Sequence, residues 1–271
     1  MRPPAQATPV PGPRPSRARG AYFAPPLPRI FAHRGLALDV PENTLGAFRA
    51  ALAVGAVHLE TDVHASSDGV AVISHDPTLE RVAGRPDRVA DLTLAELRSI
   101  DLGGGETFVT LSEALLAFPE ARFNIDVKAD DACRPTAEAV RAAGAIDRVL
   151  ITSFDVRRKR LTASALPGVA TSASAAEFGP ALAFAKLGWA WAVRRILRNV
   201  DAVQIPPQVS RIGTVTPRTI DVLHRAGVEI HVWTINDPVV ARDLLVRGVD
   251  GLVTDRADIL VPLAAEFKPV R

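Results

Sequence analysis

The sequence predicts an α/β protein that folds as a (β/α)8 (TIM) barrel with a β-hairpin extension after the second strand. From residue 29 onward, short apolar runs alternate with segments rich in Ala, Leu, Arg and Glu, a pattern typical of parallel strands joined by outer helices. The chain has 271 residues, an ordinary length for one barrel, and 48% of them are hydrophobic. An open, doubly wound sheet is the alternative fold.

Nine short apolar runs are candidate strands, one more than an eight-stranded barrel needs. They span residues 30–33, 57–63, 70–74, 122–128, 149–153, 169–171, 202–205, 229–234 and 251–254. Segments with helical composition lie between most of them, for example at residues 44–54, 111–117, 134–143, 216–226 and 238–246.

The extra run is explained by a turn. Residues 66–69 read SSDG, a strong turn signal, and they join the second and third runs with no room for a helix. Parallel neighbours need a crossover of a dozen or more residues, so these two runs must be antiparallel. Symmetry about Ser67 and Asp68 returns His75 to the level of Glu60. The hairpin therefore predicts that Glu60, Asp62 and His75 lie together at the top of strand 2.

The termini and the composition limit the remaining possibilities. Residues 1–28 are rich in proline and are expected to form a disordered arm, which leaves residues 29–271 as a single barrel domain. No apolar stretch has the length of a membrane span and no continuous apolar segment resembles a secretory signal, so a cytoplasmic location is expected. A net charge of +2 gives no indication of nucleic acid binding.

Three carboxylates occupy positions where barrel enzymes carry their active sites. Glu60 and Asp62 are two residues apart on one strand, so both side chains point to one face, and Asp126 and Lys128 repeat that spacing on the next barrel strand. Burial of several carboxylates is costly unless a cation neutralises them, and oxygen ligands suit Mg2+ or Ca2+. A solvated ion-pair network at the barrel rim is the alternative interpretation.

Two histidines follow strands at the same end of the predicted barrel. His33 ends the first strand and His75 ends the hairpin arm. Imidazole titrates near neutral pH, so a converging pair suits a reaction that removes one proton and delivers another. Arg34 adds a forked, permanent charge that matches a phosphate, and Lys128 either neutralises the carboxylates or binds a phosphate oxygen. A role for the histidines as metal ligands remains the rival interpretation.

The segment from His33 to Gly84 carries the motifs HRG, PENT, an alanine-rich helix with Phe48, and then GA, ExD, DG and HD, in that order. In order and spacing these motifs resemble the glycerophosphodiester phosphodiesterase family, which belongs to the phosphatidylinositol-phospholipase-C-like phosphodiesterase barrels. FNIDVK, VWTIND and DGLVTDRAD resemble later strands of that family. The similarity covers about residues 29–262, with residues 174–199 least covered.

The resemblance implies a role for each matching residue. His33 and His75 would be the general acid and base, while Glu60, Asp62 and Asp126 would hold the divalent cation. Arg34 and Lys128 would bind the phosphate, and Trp233 would line the glycerol side. Many relatives have glutamate at the position of Asp126, so the shorter side chain leaves the identity of the metal open. The implied reaction is metal-dependent hydrolysis of a glycerophosphodiester to glycerol 3-phosphate and an alcohol.

Flanking residues give two further expectations. Residues 41–44 read as a helix start that Asn43 or Thr44 caps, and Glu42 is placed to reach the site through the same loop. Asp255 follows the last strand and is interpreted as the cap of the next helix rather than as support for the site.

Two other functions stay open. The first is a phospholipase-D-like or lysophospholipase-D-like barrel that acts on lipid phosphodiesters at a membrane surface, through weak contact by the aromatic and basic residues 180–199. Apolar residues fall all round that segment, so an outer helix packed on the barrel is favoured over a lipid contact. The second is a non-catalytic barrel that binds anionic ligands. The sequence does not predict an oligomeric state.

Overall fold

The barrel consists of eight parallel strands with helices outside them. The computed structural model describes residues 21–209 and 212–267. The barrel strands are β1 (Arg29–His33), β2 (His58–Ala65), β4 (Arg122–Val127), β5 (Val149–Thr152), β6 (Ala170–Thr171), β7 (Ala202–Ile205), β10 (Glu229–Val232) and β11 (Gly251–Thr254). They are hydrogen-bonded in the order β6-β5-β4-β2-β1-β11-β10-β7. A bridge from Ser172 to Ala202 then connects the two ends, so the barrel prediction is confirmed and the open sheet is excluded.

Helices follow the strands, and most of them pack their apolar sides on the outside of the barrel. They are α1 (Leu45–Ala53), α2 (Glu80–Ala83), α3 (Leu94–Arg98), α4 (Leu111–Ala117), α5 (Cys133–Ala142), α6 (Val156–Ser164), α7 (Ala175–Leu187), α8 (Ala190–Ile196), α9 (Pro217–Ala226), α10 (Pro238–Arg247) and α11 (Ala257–Ala265). Short 3-10 helices span Ala21–Phe23, Val89–Asp91 and Ile146–Arg148. No helix within residues 21–209 and 212–267 is long and apolar enough to cross a membrane.

Local sequence signals explain where these helices begin and end. The hydroxyl of Thr216 accepts a hydrogen bond from the backbone of Thr219, and Pro217 occupies the first turn of α9, where its missing N–H costs nothing. Gly227 then ends the helix with φ of 86°, a conformation that strains other residues. The helices predicted at residues 111–117, 134–143, 216–226 and 238–246 each lie within one or two residues of α4, α5, α9 and α10.

The extra predicted strand pairs with β2 rather than joining the barrel. Strand β3 (Ala71–Ile73) is antiparallel to β2, and Val63 pairs with Ile73. If this register is extended by two residues, His75 lies opposite Thr61. The sequence predicted that it would lie opposite Glu60, so the prediction was off by one residue. A second antiparallel pair, β8 (Gln208–Val209) and β9 (Ile212–Gly213), follows β7.

An insertion between β3 and α4 has its own small core. It contains α2, α3 and the 3-10 helix Val89–Asp91. The buried members of this core come from the hairpin arm and the insertion: Val72, Leu79, Val89, Leu97, Ile100 and Phe108. The insertion therefore packs against the hairpin through an apolar core of its own.

Tyr22 and Phe23 form part of the floor of the barrel, so the prediction of a disordered arm that extends to residue 28 is wrong for these two residues. Tyr22 is fully buried, and its carbonyl oxygen accepts a hydrogen bond from His58 Nε2 at 3.0 Å. Arg29 donates to the carbonyl oxygen of Phe23 at 2.9 Å and pairs with the buried carboxylate of Glu229. Aromatic residues in a proline-rich segment were the missed signal. Residues 1–20 of the predicted arm lie outside the described residues.

Candidate active site

The catalytic end of the barrel is defined by polar residues at the carboxyl ends of its strands. β1 ends at His33, β2 carries Glu60 and Asp62, and β4 carries Asp126. The register pairs His33 with Glu60 across β1 and β2, and Asp62 with Asp126 across β2 and β4. Paired residues in a parallel sheet project to the same face, so this register brings the predicted side chains together inside the barrel mouth.

His33 is held by a carboxylate from the far end of the chain. Its Nδ1 donates to Asp255 Oδ1 at 2.6 Å, while its Nε2 lies 3.9 Å from Glu60 Oε2. Burial lowers the pKa of His33, but the Asp255 hydrogen bond and the Glu60 charge outweigh it, so the pKa is raised. Asn236 donates to Asp255 Oδ2 at 2.8 Å. The expectation that Asp255 caps α11 is therefore wrong.

His75 is held in the same manner by its neighbour in sequence. Its Nδ1 donates to Asp76 Oδ1 at 2.6 Å, and Arg81 Nε donates to Asp76 Oδ2 at 2.5 Å. Arg81 also donates to Glu42 Oε1 at 2.7 Å, and Arg34 donates to the same oxygen at 3.0 Å. Glu42 therefore reaches the site, as expected. Each histidine thus has its Nδ1 fixed by a carboxylate.

The loop between β1 and α1 is shaped to point its polar groups at the carboxylates. Arg34 has φ of 56°, and its backbone N–H donates to Glu60 Oε2 at 3.0 Å. Gly35 follows with φ of 85°, and a Cβ there would lie 2.7 Å from Ala47. Asn43 donates to Asp62 Oδ2 at 3.2 Å, so Thr44 alone caps α1.

The three carboxylates form a buried and partly neutralised cluster. Burial and the charge of Asp62 raise the pKa of Glu60 to about 8, and burial also raises the pKa of Asp126. Lys128 Nζ lies 2.7 Å from both Asp62 Oδ1 and Asp126 Oδ2. Within residues 21–209 and 212–267, no three His, Cys, Asp or Glu side chains already surround a common metal position.

The donor set nevertheless fits a hard divalent cation. Asp126 Oδ1 is buried and has no hydrogen-bond partner among the described residues. A buried oxygen without a partner is costly, and so is a cluster of buried carboxylates that lie side by side. A cation bound by Glu60, Asp62 and Asp126 would relieve both. Lys128 already neutralises part of the negative charge of these carboxylates, which is one of the two roles predicted for it.

An aromatic pair lies on the other side of the mouth. Trp233 follows β10 and packs on the apolar cluster inside the barrel. The ring of Phe154, which follows β5, meets Trp233 edge-on with 5.9 Å between the ring centroids. Phe154 is 64% exposed. This side of the mouth therefore presents apolar surface. The charged side chains lie on the other side, at the ends of β11, β1, β2 and β4.

Several residues of this site were missed by sequence reasoning. They are Asp76, Arg81 and Asn236, and Asp255 was assigned a different role. Asp76 is adjacent to His75, so its proximity was visible in the sequence. Arg81 and Asn236 act across loops and gave no such signal. The predicted residues His33, Arg34, Glu60, Asp62, His75, Asp126 and Lys128 come together at one end of the barrel.

Two histidines oriented by carboxylates, beside basic side chains and buried acids, form an arrangement that is capable of acid–base chemistry. The family model described as "Glycerophosphoryl diester phosphodiesterase family" matches residues 33–259. A probable glycerophosphodiester phosphodiesterase 2 of Mycobacterium tuberculosis is 40% identical over 234 residues, which cover 84% of this chain and 88% of that protein. The chain belongs to the glycerophosphoryl diester phosphodiesterase family, and it is a phosphodiesterase.

Solved structures agree with this assignment. A glycerophosphodiester phosphodiesterase from Agrobacterium tumefaciens has a TM-score of 0.73 and 26% identity, covering 88% of this chain and 99% of that one. An Oleispira antarctica phosphodiesterase has a TM-score of 0.72 and 25% identity, covering 88% of this chain and 96% of that one. That structure contains the product sn-glycerol-3-phosphate.

Proposed function

We propose that this enzyme hydrolyses glycerophosphodiesters to glycerol 3-phosphate and an alcohol, with a bound divalent cation and with His33 and His75 as general acid and base. The observation that carries the proposal is the pair of carboxylate-held histidines. Each donates through Nδ1 to an aspartate, at 2.6 Å in both cases, which leaves Nε2 of each ring for proton transfer. Product binding by the Oleispira relative supports glycerol phosphate as one half of the substrate.

The two histidines divide the proton transfers that the reaction needs. One accepts a proton from the attacking oxygen, and the other donates a proton to the departing alcohol. Asp255 and Asp76 hold the rings in one tautomer and orientation. The attacker is either water or the glycerol hydroxyl next to the phosphate, which would give a cyclic intermediate. Both remain open.

The negative charge of the phosphate is neutralised by residues on both sides of β2. Arg34 and Lys128 bind its oxygens, and Glu60 and Asp62 on β2 would hold Mg2+ or Ca2+ together with Asp126. When bound, the cation neutralises charge that develops on the phosphoryl group. Arg34 is well suited to phosphate because Glu42 and Asp62 hold it from two sides, with Nε 3.3 Å from Asp62 Oδ2.

The test measures release of glycerol 3-phosphate from glycerophosphocholine. We expect activity with Mg2+ or Ca2+, loss of activity in a chelator, and loss in His33→Ala and His75→Ala. His224→Gln is the matched control, because His224 pairs with Asp250 away from the carboxylate cluster. Full activity in the chelator would refute the metal role, and an active His33→Ala protein would refute the acid–base role.

A lipid phosphodiester is the second candidate substrate, favoured by the exposed Phe154 ring against Trp233. An acyl chain on the glycerol would extend from Trp233 across Phe154. Contact through residues 180–199 is a separate proposal, based on Trp189 and Trp191, whose rings stack with centroids 6.4 Å apart. α7 has 13 residues and so extends about 20 Å away from the end of β6, which puts that stack far from the barrel mouth.

Two variants distinguish these routes. Phe154→Ala should lower the ratio of kcat/KM for lysophosphatidylcholine to that for glycerophosphocholine. Trp191→Ala should leave the ratio unchanged, because Trp191 lies far from the barrel mouth, although it is 70% exposed. If Trp191→Ala instead lowers this ratio while Phe154→Ala does not, and Trp191→Ala also abolishes liposome flotation, the results would support a membrane contact through residues 180–199. A cytoplasmic location, to be checked by fractionation, stays a prediction.

A further inference from the structure

Residues 180–199 belong to two helices rather than to one. α7 ends at Leu187, and Gly188 follows with φ of 85°, a backbone conformation that favours glycine. α8 begins two residues later, at Ala190. Apolar side chains surround this segment only if it is treated as one continuous helix. The faces of α8 therefore have to be considered separately from those of α7.

α8 has an apolar inner face and a cationic outer face. The buried residues of its inner face, where α8 packs against α7 and α9, are Ala192, Val193 and Leu197. Trp191, Arg194 and Arg195 are spaced i, i+3 and i+4, so they share the opposite face, and all three are exposed. Because the inner face already holds α8 on its neighbours, packing does not explain the large ring of Trp191.

Trp191 is the outermost of three stacked aromatic rings. Phe184 stacks on Trp189 with 5.6 Å between the ring centroids, and Trp189 stacks on Trp191 with 6.4 Å. Trp189 is 48% exposed and Trp191 is 70% exposed. Leu187, at the end of α7, is 54% exposed. Large apolar side chains that are exposed together are typical of a contact surface.

The positive charges near these rings lack acidic partners. Residues 178–200 contain four basic residues and neither aspartate nor glutamate. Elsewhere an exposed helical arginine such as Arg134 pairs with a carboxylate one turn away. Within residues 21–209 and 212–267, Arg194 and Arg195 form no ion pair with a carboxylate. Arg218 of α9 adds a further positive charge, since it donates to the carbonyl oxygen of Leu187 at 2.8 Å.

We propose that Leu187, Trp189, Trp191, Arg194 and Arg195 form a docking surface for membranes that contain anionic lipids. Tryptophan rings are favoured at the level of lipid headgroups, and basic side chains beside them are attracted by anionic headgroups. The charge of the docking surface therefore selects a negatively charged bilayer over a neutral one. Single-stranded nucleic acid is also negatively charged, but its bases need free ring faces, whereas Phe184 and Trp191 already stack on Trp189.

The docking surface lies apart from the catalytic residues. α7 has 13 residues and extends about 20 Å from the end of β6, so attachment through α8 leaves the barrel mouth accessible to dissolved substrate. The inference is therefore independent of the proposed function, and its test needs no turnover. A glycerophosphodiester is a phospholipid without its acyl chains. For the proposed substrate, attachment to a membrane would hold the enzyme where a deacylation reaction releases that substrate.

The first test is flotation of the unaltered, full-length enzyme with vesicles. Vesicles of phosphatidylcholine mixed equally with phosphatidylglycerol should bind it, and vesicles of phosphatidylcholine alone should bind it at least about tenfold less. Salt at about 0.5 M should release the enzyme, because it screens exposed charges. Equal binding to both kinds of vesicle, or binding to neither, would overturn the proposal. Binding to a single-stranded oligonucleotide but not to anionic vesicles would also overturn it, in favour of nucleic acid.

The second test locates the contact with variants. Trp191→Ala and the double variant Arg194→Gln/Arg195→Gln should each lower the partition coefficient on anionic vesicles about tenfold or more. Phe154→Ala and Arg134→Gln are the matched controls and should bind like the unaltered enzyme. Phe154 is a 64% exposed aromatic residue at the mouth, and the Arg134 side chain is 87% exposed on α5. Loss of binding in Phe154→Ala but not in Trp191→Ala would overturn the proposal.

Stability and activity separate a loss of docking from a loss of folding. Trp191→Ala and the double arginine variant should keep the melting temperature and, within about twofold, kcat/KM for dissolved glycerophosphocholine. The arginine variant covers the case in which Trp191→Ala does not fold, because its altered side chains are solvated. Lysophosphatidylcholine carries no net charge, so the substrate ratio expected above for Trp191→Ala is unaffected. Unchanged vesicle binding in a folded variant of either kind would contradict the docking surface, whereas an inactive but vesicle-bound enzyme would refute only the proposed function.

Discussion

Replacement of Asp255 by Asn tests how the barrel controls His33. Asn keeps the size of the side chain and can still accept a hydrogen bond from Asn236, but it removes the negative charge 2.6 Å from His33 Nδ1. Asp255 has a lowered pKa, chiefly through the hydrogen bond from His33, so it is ionised at neutral pH. The substitution therefore removes one of the two interactions that raise the pKa of His33 against its burial.

The size of the effect follows from that hydrogen bond. A hydrogen bond to a charged group contributes about 1.5–3 kcal/mol, and one pKa unit corresponds to about 1.4 kcal/mol. The Asp255 side chain is 52% exposed, so solvent screens it and the lower figure applies. Loss of this hydrogen bond should therefore lower the pKa of His33. The amide would also favour the tautomer with its proton on Nε2, and by analogy with other histidine–aspartate pairs kcat should fall about 10²- to 10⁴-fold.

NMR titration of labelled histidines measures the first effect, and steady-state kinetics with glycerophosphocholine measures the second. Asp258→Asn is the control, because Asp258 pairs with Arg256 at the start of α11. A His33 pKa in Asp255→Asn that is unchanged or raised would refute the assigned role of this carboxylate. A kcat within about twofold of the unaltered enzyme would refute its importance for catalysis.

Three further predictions concern the barrel floor and the loop between β1 and α1. The pKa of His58 is lowered from 6.5 to about 3, first by burial, so the folded state keeps it neutral and loses stability as pH falls below 6.5. The free energy of unfolding, measured with urea, should fall by about 2 kcal/mol between pH 6.5 and pH 5 because of this residue. His58→Phe should reduce this dependence on pH, and an unchanged dependence would contradict the explanation. Glu229→Gln leaves the Arg29 charge buried and should cost about 3 kcal/mol of unfolding free energy, and a cost below about 1 kcal/mol would contradict the buried pair. Gly35→Ala forces a Cβ against Ala47 at φ of 85° and should lower both kcat and the melting temperature, and a variant that matches the unaltered enzyme in both would show that the loop tolerates the change.

The fold was predictable because its signals are local. Apolar runs and helix caps occur within a few residues of the elements that they define, and the SSDG turn predicted the antiparallel pairing of β3 with β2. The barrel floor was not predictable in the same way. Tyr22 and Phe23 are buried by contacts with strands much later in the chain, and a proline-rich context concealed them.

The site was predictable where residues share a strand or follow one directly. Glu60 and Asp62 share β2, and His33 ends β1, so alternation and strand ends located them. The role of Asp255 depends on register between the first and last strands, which no local pattern encodes. A helix follows Asp255 directly, so a cap was the simpler interpretation from the sequence.

Closure of the barrel explains why the two ends of the chain meet at His33. β1 pairs with β11 so that Ala32 lies opposite Thr254, and the next residue on each strand is His33 or Asp255. The same register on the other side pairs His33 with Glu60. One row across three strands therefore holds an imidazole between two carboxylates. A shift of one residue between β1 and β11 would turn Asp255 away from His33, since alternate residues face opposite sides of a strand. The chemistry of the site thus depends on the register that closes the barrel as much as on the identity of its residues.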